Sequence, residues 1–326
     1  MIFPYALKLL CLCLASFFVV NAALGLTAAL GSRAAIRIAE SMRARSGARF
    51  LFAVRVLPCA LGMGTVLALC VPSYLWLEPQ ASAERSGWAC LTLAILGALG
   101  WIGSIVRAAR AVAASVRFNR EWQQAGCETL QANESLKAVI VEKKAPLLAL
   151  AGIFRPRLIV SQAVLCALSE EELQLALQHE NAHHISLDNL KRLLLLLLPS
   201  SILFVRGHSS LERCWAKFSE WAADDDAVRG DSHRALSLAE ALLRITRLGA
   251  APRPSFLHTS LCAGDQDLSE RVDRLLQVQP LEIKPTSRSR FLAVGSSLGI
   301  AVCGGALLAW PATLSAVHRL LEVFLH

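Results

Sequence analysis

The chain has 326 residues, of which 55% are hydrophobic and 18% charged, with a formal net charge of +8 and a mean hydropathy of +0.48. These values exclude an ordinary water-soluble globule and point to an integral membrane protein. Its ten cysteines form no CxxC pair and about half lie in apolar runs, so they read as small reduced hydrophobes.

Four runs of about 20 mostly apolar residues are long enough to cross a bilayer as helices: roughly 5 to 30, 51 to 75, 88 to 106 and 291 to 311. In the first, only Lys8 precedes the core and no convincing small-residue cleavage site follows, so it reads as an anchor. The loop after it carries Arg33, Arg37, Arg43, Arg45 and Arg49 against Glu40, which predicts a cytoplasmic loop. The next loop holds Glu78, Glu84 and Arg85 between Trp76 and Trp88, and is expected outside, with the tryptophans as interface anchors. Arg107, Arg110, Arg117 and Arg120 follow the third span, and Lys284, Arg288 and Arg290 precede the fourth. Residues 107–290 are therefore expected in the cytoplasm and both termini outside. These basic flanks account for the net charge, so anionic lipid is the expected partner and no nucleic-acid signature is present.

Within the cytoplasmic part, "LLALAGIFRPRLIVS" is expected to contribute a strand at Leu158 to Val160, offered to substrate as an exposed edge. "LSEEELQLALQHENAHH" then opens with a capping box, Ser169 and Glu172, which predicts a helix from Glu170. In that register His179 and His183 are four apart on one face, close enough for both rings to reach one tetrahedral ion. Glu180 sits beside them, where a carboxylate can take a proton from water at the open coordination position. This HExxH pattern also arises by chance, and a third ligand strengthens it.

Downstream, "RCWAKFSEWAADDDAVRG" reads as a second helix with Glu220 and Asp224 four apart, and 36 residues separate His183 from Glu220. Glu220 suits the third ligand, and Asp224 suits an acceptor for the distal N–H of a ligating histidine. The pair of motifs is much rarer than either half and points to a single Zn2+ ion in a peptidase. His184 lies off the ligand face, His208 and His233 are expected to be solvated, and Asp188 to solvate a helix end. Asp225 and Asp226 read as a charged face. The stretch 249–267, rich in Pro, Gly and Ser, is the expected flexible loop, from which His258 could approach substrate. Residues 193–205, apolar but broken by Pro199, are too few to span comfortably, and a crossing there would part Glu220 from His183, so a re-entrant or interfacial helix is expected.

On these residues the sequence resembles the membrane zinc peptidases that include the BlaR and MecR antirepressors, and more distantly the HtpX and Ste24 type proteases. The likeness extends to Gly152, Pro156, Asp188 and Leu168-Ser169 around the active helix, and to "LSERVDRLL" with Arg271 before the last span. It implies His179, His183 and Glu220 as zinc ligands, Glu180 as general base, Asp224 as their support, and Asp188 and Arg271 as further substrate-binding or supporting groups.

The resulting expectation is a mainly α membrane protein: a three-helix transmembrane region over 1–106, a cytoplasmic zincin-like α+β metallopeptidase domain with a small sheet over 107–290, and a last span and tail over 291–326. The implied function is cleavage of a cytoplasmic or membrane-proximal protein, such as a transcriptional repressor, at the inner (plasma) membrane. A quality-control protease or a non-catalytic receptor are the rival readings. The β-lactam receptors continue into an extracellular sensor, whereas this chain ends at His326, so its signal is expected from a separate sensor protein, the membrane or short external loops.

Overall fold

The computed structural model describes residues 5–77, 87–124, 126–133, 136–142, 146–153, 156–199, 206–248, 259–260 and 265–277. The expected fourth span and His258 lie outside the described residues. The chain is mostly helical. Helix α1 (Tyr5–Leu30) is apolar on every side, and α2 (Ser32–Glu40) buries Ala35 and Ala39 while exposing Arg33 and Arg37. Helix α3 (Ala44–Thr65) continues through a π turn at Val66–Cys70 into α4 (Val71–Leu77), making one apolar rod over Ala44–Trp76. Helix α5 (Trp88–Gln124) is much longer than its apolar part, because its second half carries the arginines from Arg107 onward without a helix breaker. Among the described residues, three helices are long and apolar enough to cross a membrane.

A small sheet follows, formed by β1 (Gly126–Asn133), β2 (Leu136–Val141), β3 (Leu148–Ala151), β4 (Arg157–Ser161) and β5 (Thr259–Ser260), in the order β1-β2-β4-β3-β5. Strand β4 runs parallel to β2 and antiparallel to β3, with Leu158, Ile159 and Val160 all buried. The strand expected at Leu158 to Val160 is thus present, but it is interior rather than an exposed edge. Its unbroken apolar run, buried on both faces, is the pattern of an inner strand. The far side of β3 is taken by β5, where Ala149 faces Ser260 and Leu150 faces Thr259. Part of the expected 249–267 loop is therefore a strand, and α11 begins within it.

The remaining helices are α6 (Gln162–Ala167), α7 (Glu170–Ser186), α8 (Asp188–Leu197), α9 (Arg206–Val228), α10 (Ser232–Arg247) and α11 (Asp265–Leu276). Leu148, Leu158, Val160, Leu175, Leu238 and Leu242 form a dry core that fixes α7 and α10 on the sheet. A second core, with Leu51, Leu211, Trp215 and Phe218, locks α9 onto α3. That contact is close: a Cβ on Gly47 would lie 2.7 Å from the Phe218 ring. At the other end of α9, a Cβ on Gly207 would lie 2.3 Å from the Ala29 carbonyl oxygen of α1, so only glycine fits.

Polar groups on the apolar helices meet the end of α8. Asn21 Nδ2 donates to the Pro199 carbonyl at 3.1 Å, and Arg107 Nη2 to the Leu198 carbonyl at 3.2 Å. Asn21 and Gly100, which also faces Pro199, both lie well inside their helices. Arg55 Nε donates to Glu212 Oε1 at 2.8 Å. His208, expected to be solvated, is half-buried with Nε2 2.9 Å from the Gly25 carbonyl, because glycines at 25 and 207 let α1 and α9 approach.

Candidate metal centre

The register of α7 is set at its first turn: Ser169 Oγ accepts from the Glu172 amide at 3.3 Å, and Glu172 Oε2 accepts from the Ser169 amide at 2.7 Å. Ten and fourteen residues after this cap, His179 and His183 are fully buried one turn apart, with Nε2 atoms 3.2 Å from each other. Helix α9 crosses them and brings Glu220 Oε2 to 3.4 Å from His179 Nε2, and Oε1 to 3.6 Å from His183 Nε2. The three residues each offer one donor atom within 4.8 Å of the others.

The other ring nitrogens face carboxylates. His183 Nδ1 lies 2.8 Å from Asp188 Oδ2, and His179 Nδ1 lies 2.9 Å from Asp224 Oδ1 in a contact bent away from a linear hydrogen bond. Each carboxylate favours the tautomer with its proton on Nδ1, leaving the Nε2 lone pairs directed at one another and at Glu220. Glu220 Oε2 is buried and accepts no hydrogen bond. Three electron-rich atoms so placed repel unless a proton or a metal ion sits among them. Ligands roughly 2.0–2.1 Å from one tetrahedral ion stand about 3.3 Å apart, and the separations found here fit that arrangement.

Outer contacts hold these groups. Asp188 Oδ2 also accepts from Ser219 Oγ at 2.6 Å, and its Oδ1 from Lys191 Nζ at 3.0 Å. Arg271 grips Asp224 with two donors, Nε at 2.9 Å and Nη2 at 2.7 Å, while Nη1 stands 3.4 Å from Glu220 Oε2. Arg192 Nη2 lies 3.7 Å from Glu220 Oε1.

The electrostatics follow from burial and these neighbours. Burial pushes the Glu180 carboxyl up to about 7 despite the opposing pull of His183 and His179. For Glu220 burial acts in the same direction, but the His183 charge and contacts from both histidines outweigh it and hold the carboxyl well below the usual range. Burial would lower His183, yet Glu220 and the Asp188 contact raise it to about 10, and Asp224 and Glu220 likewise raise His179. Asp224 is brought to about 2, burial being overcome by Arg271 and His179. A cation arriving among these atoms competes with protons for the same nitrogen lone pairs.

The structure brings together His179, Glu180, His183, Asp188, Glu220, Asp224 and Arg271, while His258 lies outside the described residues. His184 is half-buried and off the donor cluster, and His233 is exposed beside Glu171. Asp225 pairs with Arg274, and Asp226 with Arg45. Sequence reasoning missed Ser219 and Arg192, which no spacing rule singles out; for Asp188 the residues alone suggest a group solvating a helix end, while the family resemblance implies a substrate-binding or supporting one. On a continuous helix Asp188 would lie about 140° round from His183. It reaches the ring because Leu187 adopts φ 56° and ψ 39°, breaking α7 and starting α8.

Residues 78–275 match the sequence profile of the family described as BlaR1 peptidase M56. The chain belongs to this family. The match spans more than half of the chain and contains every residue of the buried His/His/Glu group. No curated protein matches the chain. Family membership, the apolar helices and a donor group compatible with a metal ion together describe a membrane-associated metallopeptidase.

Proposed function

We propose that the protein is a zinc-dependent endopeptidase that cuts a cytoplasmic or membrane-proximal protein, in regulated proteolysis of a repressor or another signalling protein. The observation that carries this reading is the buried Glu180 carboxyl on the same turn of α7 as two of three converging donors, the third coming from α9. His179, His183 and Glu220 would hold the ion, and two imidazoles with one carboxylate are a set that suits zinc in catalytic sites. When bound, such an ion acidifies water and polarises a carbonyl. Glu180, a carboxylate that burial makes more basic, takes the proton from water and delivers it to the leaving nitrogen. Asp188 and Asp224 hold the two rings, and Arg271 holds Asp224, so the donors stay aimed while the proton moves.

The same reading places both termini outside, residues 107–290 in the cytoplasm, 193–205 as a re-entrant segment and a fourth span at 291–311. The orientation rests on the arginine-rich flanks, and the re-entrant reading is supported by the direction of α9: Glu212 meets Arg55, and Phe218, six residues on, meets Gly47 in the first turn of α3. Asn21 and Arg107 hold the end of α8, and α9 runs back along α3 toward its arginine-rich start. Glu220 lies two residues beyond Phe218, which puts the metal centre near the level where α3 enters its apolar stretch.

A membrane quality-control protease would share every residue named. The proteomes of cells carrying wild type and Glu180→Gln discriminate the two. Loss of one or a few fragments of a soluble regulator supports regulated proteolysis, whereas loss of fragments from many unrelated membrane proteins supports quality control. Identical peptide profiles would contradict both and favour a non-catalytic receptor.

A further inference from the structure

Behind the metal centre, between α3, the turn joining α7 to α8, and α9, lies a cavity of about 260 Å³. Arg45, Arg49 and Lys191 line it together with Ser186, Ile185 and Asp188, so three cations face one carboxylate. None of the three proposed metal ligands lines it. Lys191 is bonded to Asp188, and Arg45 is paired with Asp226. Arg49 makes no ion pair or hydrogen bond among the described residues, and is exposed at the cavity's edge. Alanines at 48, 222 and 223 leave the space open where larger side chains would fill it.

The cavity has an apolar border. Ile185, in its lining, is 69% exposed, and Leu187 beside it is 54% exposed. Beyond Arg49, α3 runs into the apolar rod, with Arg55 already buried against Glu212 about 9 Å further along. A concave cationic pocket at the start of a spanning helix, next to exposed aliphatic side chains, suits an anion whose other end is apolar. Arginine forks match phosphate oxygens, and basic groups at this depth attract anionic lipid.

We propose that this cavity binds a phosphodiester anion, the headgroup of an anionic phospholipid, with Arg49 and Arg45 on the phosphate and the acyl chains directed past Ile185. The site stands whether or not the protein hydrolyses peptides.

The test uses the full chain in detergent and native mass spectrometry, with phosphatidylglycerol or phosphatidylcholine added and inorganic phosphate as competitor. Wild type should retain phosphatidylglycerol in preference to phosphatidylcholine, and excess inorganic phosphate should not displace it. Arg49→Gln, at a side chain without an ion pair or hydrogen bond among the described residues, should lower that occupancy about fivefold, and Arg45→Ala with Arg49→Ala further still. Arg49→Lys should retain most of it, as should Arg33→Ala with Arg37→Ala, which removes two exposed cations from α2 outside the cavity. Equal retention of both lipids, or an Arg49→Gln protein as occupied as wild type, overturns the site. Displacement by inorganic phosphate overturns the lipid and assigns the pocket to a soluble phosphate.

Discussion

Four carboxylates crowd the seven residues from Glu220 to Asp226, and their neighbours divide the work among them. Glu220 faces both histidines, Asp224 holds the His179 ring, and Asp225 and Asp226 face Arg274 and Arg45. Glu220→Ala should accordingly abolish metal binding, while Asp224→Ala should weaken it roughly 10- to 100-fold. Asp225→Ala and Asp226→Ala should keep normal stoichiometry. Metal analysis of the four purified proteins checks this, and a metal-replete Glu220→Ala protein would show that another group is the third ligand. Asp188→Asn belongs to the same series: it keeps an acceptor for His183 but loses the charge, so weaker metal retention is expected with the fold intact. These assignments were unequally legible in the sequence. A cap three residues from Glu172 fixes which face of α7 carries His179 and His183, so their juxtaposition could be read directly. Asp188 could not be placed so, because a left-handed Leu187 resets the register between it and His183.

At the scale of elements, the site depends on α9 lying tightly on α3. Phe218 presses on Gly47 two residues before Glu220, so Gly47→Ala should cost about 1–3 kcal/mol and loosen the metal. Gly64 lies in the same helix with nothing within 4 Å of its would-be Cβ, and Gly64→Ala should be neutral or stabilising by about 0.5–1 kcal/mol. Thermal melts with metal titration read both, and equal behaviour of the two variants would contradict the packing account. The three apolar helices among the described residues were legible from hydropathy alone, and the strand at Leu158 to Val160 from its apolar run. Its interior position was not: β2 and β5 reach it or its partner from residues far off in the chain, and local pattern does not encode such pairings. Nor was the length of α5 legible, since arginines that end an apolar run do not end a helix.

At the scale of the whole molecule, a bundle of apolar helices is joined to a candidate metal site that packs near the start of α3. Reporter fusions at residues 80, 135 and 235 should report the first outside and the other two in the cytoplasm. An external signal at 135 or 235 would contradict the arrangement. The central claim is that Glu180 moves the proton for a hydrolysis supported by an ion on His179, His183 and Glu220. It is tested most directly by measuring metal content and peptide cleavage together on purified wild-type and Glu180→Gln protein in lipid. The account predicts equal metal content and a rate lower by about 100- to 10,000-fold in the variant. Undiminished cleavage by Glu180→Gln would contradict it.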